Sequence, residues 1–145
     1  MFKKILAPYD GSQNAQRALA KAIEMSKLCG APLTILTVYR HHSMLEASLS
    51  MVRKESPGNL DDAMRGYASE VAEHGKAICR EHGLEEVRAF VKSGQTARTI
   101  VQFAEDHDFD VIIIGRRGLG SIEDYLMGSV SHKVTGMAPC PVLVT

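Results

Sequence analysis

Three short stretches of this 145-residue chain gather glycine, hydroxyl and charged residues of the kind that hold an anion. They are Pro8-Tyr9-Asp10-Gly11-Ser12, Gly115-Arg116-Arg117-Gly118-Leu119-Gly120-Ser121, and Gly128-Ser129-Val130-Ser131. Glycine lets main-chain N–H groups approach a bound oxygen that a Cβ would hold off. A helix starting near Ser129 would add the unpaired donors and partial positive charge of its N-terminus. Ser129 and Ser131 could each bring a hydroxyl to a phosphate oxygen, so the pattern reads as a phosphate cradle. Its spacing is Gly115, two residues, Gly118, nine residues, then Gly128-Ser129. This is not a P-loop, which requires Gly-Lys-Ser/Thr, nor the dinucleotide fingerprint, which requires G-x-G-x-x-G after the first strand. Here G-x-x-G-x-G follows the fourth.

The elements that must carry these residues alternate along the chain. Lys3 to Pro8 is a continuous apolar run, as in a strand buried on both faces. Ser12 to Leu28 places Ala15, Ala18, Leu19, Ala22, Ile23 and Ser26 at helical spacing, and Gly30 with Pro32 ends that helix. Leu33 to Tyr39 is rich in β-branched residues. A second long helix has Leu60, Met64, Tyr67, Val71 and Ile78 along one face and stops near Gly83. Val87 to Val91 is a short strand, and Thr96 to Asp106 a helix with Ile100, Val101 and Ala104 inward. Asp110 to Gly115 is the strongest strand, Ser129 to Met137 the last helix, and Pro141 to Thr145 the closing strand. Alternation of this kind predicts βαβ units with right-handed crossovers, hence one α/β domain over 1–145. Its core is an open, doubly wound, five-stranded parallel sheet with helices on both faces. Ligands of such sheets bind beyond the carboxyl ends of the strands, where the three stretches fall. The long connection Arg40 to Asn59 reads as a mobile loop or a lid.

The joint pattern resembles the universal stress proteins, in their ATP-binding branch. The resemblance spans the chain. It rests on Ile5-Leu6-Ala7-Pro8-Tyr9-Asp10-Gly11-Ser12, on Asp110-Val-Ile-Ile-Ile-Gly115, on the glycine and serine spacing above, and on Cys140-Pro141-Val142-Leu143-Val144. It implies a Rossmann-like sheet of order 3-2-1-4-5 with ATP, or AMP or ADP, lying across strands one and four, with Mg²⁺ as an accompanying ion. Carried over by position, Asp10 and the backbone at Pro8 and Tyr9 would meet the adenosine, and Val38 would line the adenine pocket. Ile114 and Gly115 would flank ribose and phosphates. Arg117, Gly118, Gly128, Ser129, Val130 and Ser131 would hold the phosphates. Two residues depart from the family pattern: Tyr9 is bulky and could stack on or crowd the base, and Arg116 replaces a small polar residue. Plainer readings compete: Asp10 as a helix cap, Arg116 and Arg117 as a solvated pair, and Ser129 as both cap and ligand. In a 3-2-1-4-5 sheet the closing strand is an edge, yet Val142-Leu143-Val144 carries no guarding charge, which predicts a homodimer through that strand.

Composition narrows the partners. Seventeen basic and seventeen acidic residues cancel, without the basic excess of a nucleic-acid binder. No apolar run approaches the ~20 residues of a membrane span, and the N-terminus lacks a signal-peptide pattern. Three scattered cysteines suit a reducing cytoplasm. The six histidines, His41, His42, His74, His82, His107 and His132, form no metal set. Asp106-His107-Asp108 has no nucleophile nearby in sequence and reads as a turn. The expectation is a cytoplasmic, nucleotide-responsive stress regulator with an unidentified protein partner and no catalytic residue assigned. A slow ATP hydrolase using Asp10 and Arg117, or a structural dimerisation module, are the alternatives.

Overall fold

The computed structural model describes residues 1–40, 57–118 and 127–145. The elements in chain order are β1 (Ile5–Pro8), α1 (Gln13–Cys29), β2 (Leu33–Tyr39), α2 (Pro57–Glu81), β3 (Val87–Ser93), α3 (Thr96–Asp106), β4 (Val111–Ile114), α4 (Ser129–Met137) and β5 (Val142–Val144). The strands form a five-stranded sheet of order β3-β2-β1-β4-β5, parallel at every pairing. The expected long loop is shorter than 40–59, because α2 begins at Pro57, whose fixed φ suits a first helical turn. His41, His42 and the rest of 41–56 lie outside the described residues, as do Leu119, Gly120 and Ser121.

The two-residue period of the strands sorts the core into two layers. Ile5, Ala7 and Tyr9 point with Ile35, Val111 and Ile113 into a layer closed by Leu19, Ala22 and Ile23 of α1 and Cys79 of α2. Leu6, Leu36, Ile112 and Ile114 point the other way, against Ala97, Ile100 and Phe103 of α3 and Val134 of α4. A sheet covered on both faces explains why its central strands β1 and β4 read as unbroken apolar runs.

The apolar stripe read along α2 coincides only in part with the face it buries. Tyr67 is 65% exposed, whereas Ala68, Ala72 and Cys79 are buried, with Val71 and Ile78 packed at the margin. Small residues win this face because α2 must come close to the sheet over the Tyr9 ring. A Cβ on Gly75 would sit 2.9 Å from the Tyr9 ring.

Local signals set the helix ends. The Ser12 hydroxyl accepts the Ala15 N–H at 3.1 Å, and Gly30 closes α1 at φ +63°. Asp106-His107-Asp108 runs from the last residue of α3 into the turn after it. His107 Nδ1 lies 3.0 Å from the Phe103 carbonyl oxygen, its ring packs 4.3 Å from that of Phe103, and Asp108 takes φ +55°.

Candidate functional site

β1 lies between β2 and β4, and the chain reverses its direction of travel across the sheet there, so a crevice opens beyond the carboxyl ends of β1 and β4. A cavity of about 230 Å³ occupies it. Pro8, Tyr9, Asp10, Val38, Ile114, Gly115, Arg117, Gly118, Gly128, Ser129, Val130 and Ser131 all border this cavity, so the twelve positions carried over from the family pattern come to one place, whereas Gly11, Ser12 and Arg116 do not line it. Ala15, Leu36, Thr96 and Ile100 border it too, and nothing in the motif spacing pointed to them. Strand parity could have found Leu36, which shares a face with Val38 two residues on.

The second and third stretches are joined by one carbonyl. The Arg116 carbonyl oxygen accepts the Gly128 N–H at 2.8 Å and the Ser131 hydroxyl at 2.6 Å. The Arg116 N–H donates to the Thr145 carbonyl at 2.9 Å, and the Thr145 N–H donates to Ile114 at 3.0 Å. The bend after β4 is thereby tied to the start of α4 on one side and to β5 on the other. Arg116 therefore serves through its main chain, a role its side-chain type did not suggest.

At α4 the helical ladder begins with the His132 N–H donating to Gly128 at 3.0 Å. Gly128 is the cap residue and no side chain caps it, so the amides of the first turn face the cavity residues without a protein acceptor among the described residues. Ser129 is exposed there, its hydroxyl available to a ligand. Ser131 corrects the expectation. It is 2% exposed and its single hydroxyl proton is shared between the Arg116 and Gly128 carbonyls, at 2.6 and 3.1 Å. It fixes the cradle and leaves its amide, not its hydroxyl proton, for an anion.

Asp10 does not cap α1, since Ser12 does. One Asp10 oxygen, Oδ1, accepts the Ser12 N–H at 2.9 Å, a local turn that holds the half-buried carboxylate at the cavity edge. Its other oxygen lies against Gly118, where a Cβ would stand 2.6 Å away. Gly115 is needed for a different reason. A Cβ there would meet the main chain of Asn14 at 2.9 Å, so the missing side chain lets β4 close on the first turn of α1.

Tyr9 is the second correction. Its ring shares the face of Ile5 and Ala7, on the layer away from the cavity, and is 3% exposed. The hydroxyl and His74 Nδ1 hydrogen-bond at 2.8 Å, and the rings stack at 6.1 Å. Burial first, then the Asp10 charge, holds the phenol above its ordinary range. Only the main chain of Tyr9 serves the site. Its N–H donates to Leu36 at 2.9 Å, and its carbonyl accepts the Thr37 hydroxyl at 2.8 Å.

A doubly wound parallel sheet with glycine-lined turns and a helix N-terminus at its switch point is the architecture of α/β proteins that hold phosphate-bearing ligands. The universal stress protein family model matches residues 1–145, and the chain belongs to that family. It is 30% identical to the universal stress protein YxiE of Bacillus subtilis, the match covering 99% of each chain. Universal stress protein UspA from Lactobacillus plantarum superposes with a TM-score of 0.84 at 26% identity, covering 99% of this chain and 97% of its own. A universal stress protein from Archaeoglobus fulgidus, solved in complex with dAMP, shares the fold with a TM-score of 0.67 at 22% identity, over 99% and 97% of the two chains.

Proposed function

We propose that this chain binds an adenine nucleotide across the ends of β1 and β4 and works as a nucleotide-responsive stress regulator. ATP is the proposed ligand, with AMP and ADP as alternative occupants. The observation that carries the reading is the uncapped start of α4, held by the Arg116 carbonyl beside Gly118 and Asp10 on one cavity. Amides and a helix N-terminus suit phosphates, whereas Pro8, Leu36, Val38 and Ile100 offer an apolar wall to a base. That a family fold has been solved with dAMP supports the same ligand class. Mg²⁺, when it accompanies ATP, would be held through the phosphate oxygens. Among the described residues no group of three or more His, Cys, Asp or Glu side chains gathers to hold a metal.

Regulation would act by linkage: a nucleotide that orders the turn after β4 and the start of α4 alters a surface read by a protein partner. We also propose a homodimer through β5. Leu143 is 40% exposed and Met137 50%, and no charge on Val142–Val144 guards the edge. Leu143→Lys is expected to turn a dimer into a monomer in light scattering, and a wild-type monomer at micromolar concentration would remove this part. The cytoplasm is the proposed compartment, on the strength of three unpaired cysteines. No helix among the described residues is long and apolar enough to cross a membrane.

The binding test is a thermal-shift titration with AMP, ADP and ATP, with and without Mg²⁺, beside mass spectrometry of nucleotide retained on purification. A ligand at a hundred times its Kd adds about 2.7 kcal/mol of stability. No shift and no retained nucleotide would defeat the reading, and phosphate release abolished by Asp10→Ala would move it toward hydrolysis.

A further inference from the structure

Helix α3 reaches the cavity through a residue outside the glycine and serine pattern. Thr96 opens the helix, and Ile100, four residues on, is 1% exposed and packs in the layer of Leu36 and Ile114. Positions four apart stack on one helical face, so Thr96 stands above Ile100 toward the carboxyl edge of the sheet. Both border the cavity, together with the apolar side chains of Pro8, Leu36, Val38 and Ile114.

The Thr96 hydroxyl has no evident task in the fold. Gln95 is the cap residue of α3, so Thr96 does not cap it. Among the described residues its hydroxyl meets no hydrogen-bond partner, and the residue is half-buried. An apolar wall suits the faces of a flat heterocycle, but its ring-edge atoms lose their water on entry and need a polar partner.

We propose that Thr96 is a specificity-determining residue whose hydroxyl hydrogen-bonds the base of the bound nucleotide. This rests on the adenine-nucleotide reading. The polar duties of the cavity are then divided: the start of α4 meets the phosphates, and the start of α3 meets the base.

Isothermal titration with AMP tests it, using wild type, Thr96→Val, Thr96→Ala and Thr96→Ser. Removing one such hydrogen bond is expected to weaken AMP roughly fivefold in the Val and Ala variants. Thr96→Ser, which keeps the hydroxyl, is expected to restore affinity to within about twofold of wild type, a rescue that bulk packing would not produce. Ribose 5-phosphate, which lacks the base, is expected to bind wild type and Thr96→Val alike. Wild-type affinity for AMP in both hydroxyl-free variants overturns the assignment, as does an equal loss for ribose 5-phosphate. A wild-type protein that binds no AMP instead overturns the nucleotide reading itself, and this assignment with it.

Discussion

Gly118→Ala separates a residue that shapes the ligand site from one that holds the fold. A methyl at 118 would stand 2.6 Å from Asp10 Oδ2, closer than side chains pack, so the carboxylate must turn away. It cannot turn freely, because Oδ1 holds the Ser12 N–H at 2.9 Å in the turn that starts α1. Losing that hydrogen bond costs about 1 kcal/mol, which for a chain of this size lowers Tm by roughly 3 °C. Position 118 does not occupy the left-handed region, so alanine adds no backbone strain. The displaced carboxylate and the new methyl both crowd the cavity, and AMP affinity is expected to fall at least about tenfold, or ~1.4 kcal/mol. Gly115→Ala is the contrast. Its methyl meets the Asn14 carbonyl carbon and oxygen at 2.9 Å, which are main chain and cannot swing. Overpacking of that kind costs about 1–3 kcal/mol, and the ligand-free Tm should drop by roughly 3–10 °C. Differential scanning calorimetry without ligand and titration calorimetry with AMP read the two effects apart. Unchanged AMP affinity in Gly118→Ala would refute the cradle, and a wild-type Tm in Gly115→Ala would refute the close approach of β4 to α1.

Ser131→Ala removes the hydroxyl that reaches the Arg116 and Gly128 carbonyls, and is expected to cost about 1–2 kcal/mol in urea unfolding. It should also weaken AMP by loosening the start of α4, whereas a ligand-only role would leave the urea midpoint unmoved. Gly75→Ala puts a methyl 2.9 Å from the Tyr9 ring and is expected to destabilise by about 1–3 kcal/mol, with Tyr9→Phe unable to relieve it because the ring remains. Burial pushes the Cys79 thiol from its ordinary 9.0 up to about 11. The unfolded chain then loses this proton first as pH rises, so its contribution to stability is complete below pH 9 and disappears between 9.0 and about 11. Stability should fall by up to about 2 kcal/mol across that window. The buried Tyr9 phenol, also raised, continues the decline above its ordinary 10.0. Urea titrations at pH 8.5 and 10 on wild type and Cys79→Ala check the assignment, and an unchanged slope in the variant would remove it.

Much of the architecture follows from local rules. The apolar runs at Ile5–Pro8 and Val111–Ile114, the β-branched run at Leu33–Tyr39 and the glycine stop at Gly30 each act within a few residues. The alternation they create leaves a doubly wound sheet as the simple way to bury β1 and β4 on both faces. The glycine and serine spacing likewise points to the edge where the candidate site lies, because strand ends and helix starts in such a sheet converge there, while positions such as Val38 came from the family resemblance.

Roles within the site depended on neighbours distant in the chain. Strand parity alone could have sent the Tyr9 ring to the far layer, but its pairing with His74 and its fit over Gly75 needed α2 in place. Ser131 looks like a ligand in one dimension and becomes a brace only when the Arg116 carbonyl arrives beneath it. The glycines at 115 and 118 are alike in a list of residues, yet one faces a helix backbone and the other a carboxylate. Thr96 carries no motif at all and enters only because α3 packs beside β2. Helix and strand preference is a property of adjacent residues, whereas a side chain's task is set by what the packed chain brings within a few ångströms of it, and only the folded molecule decides that.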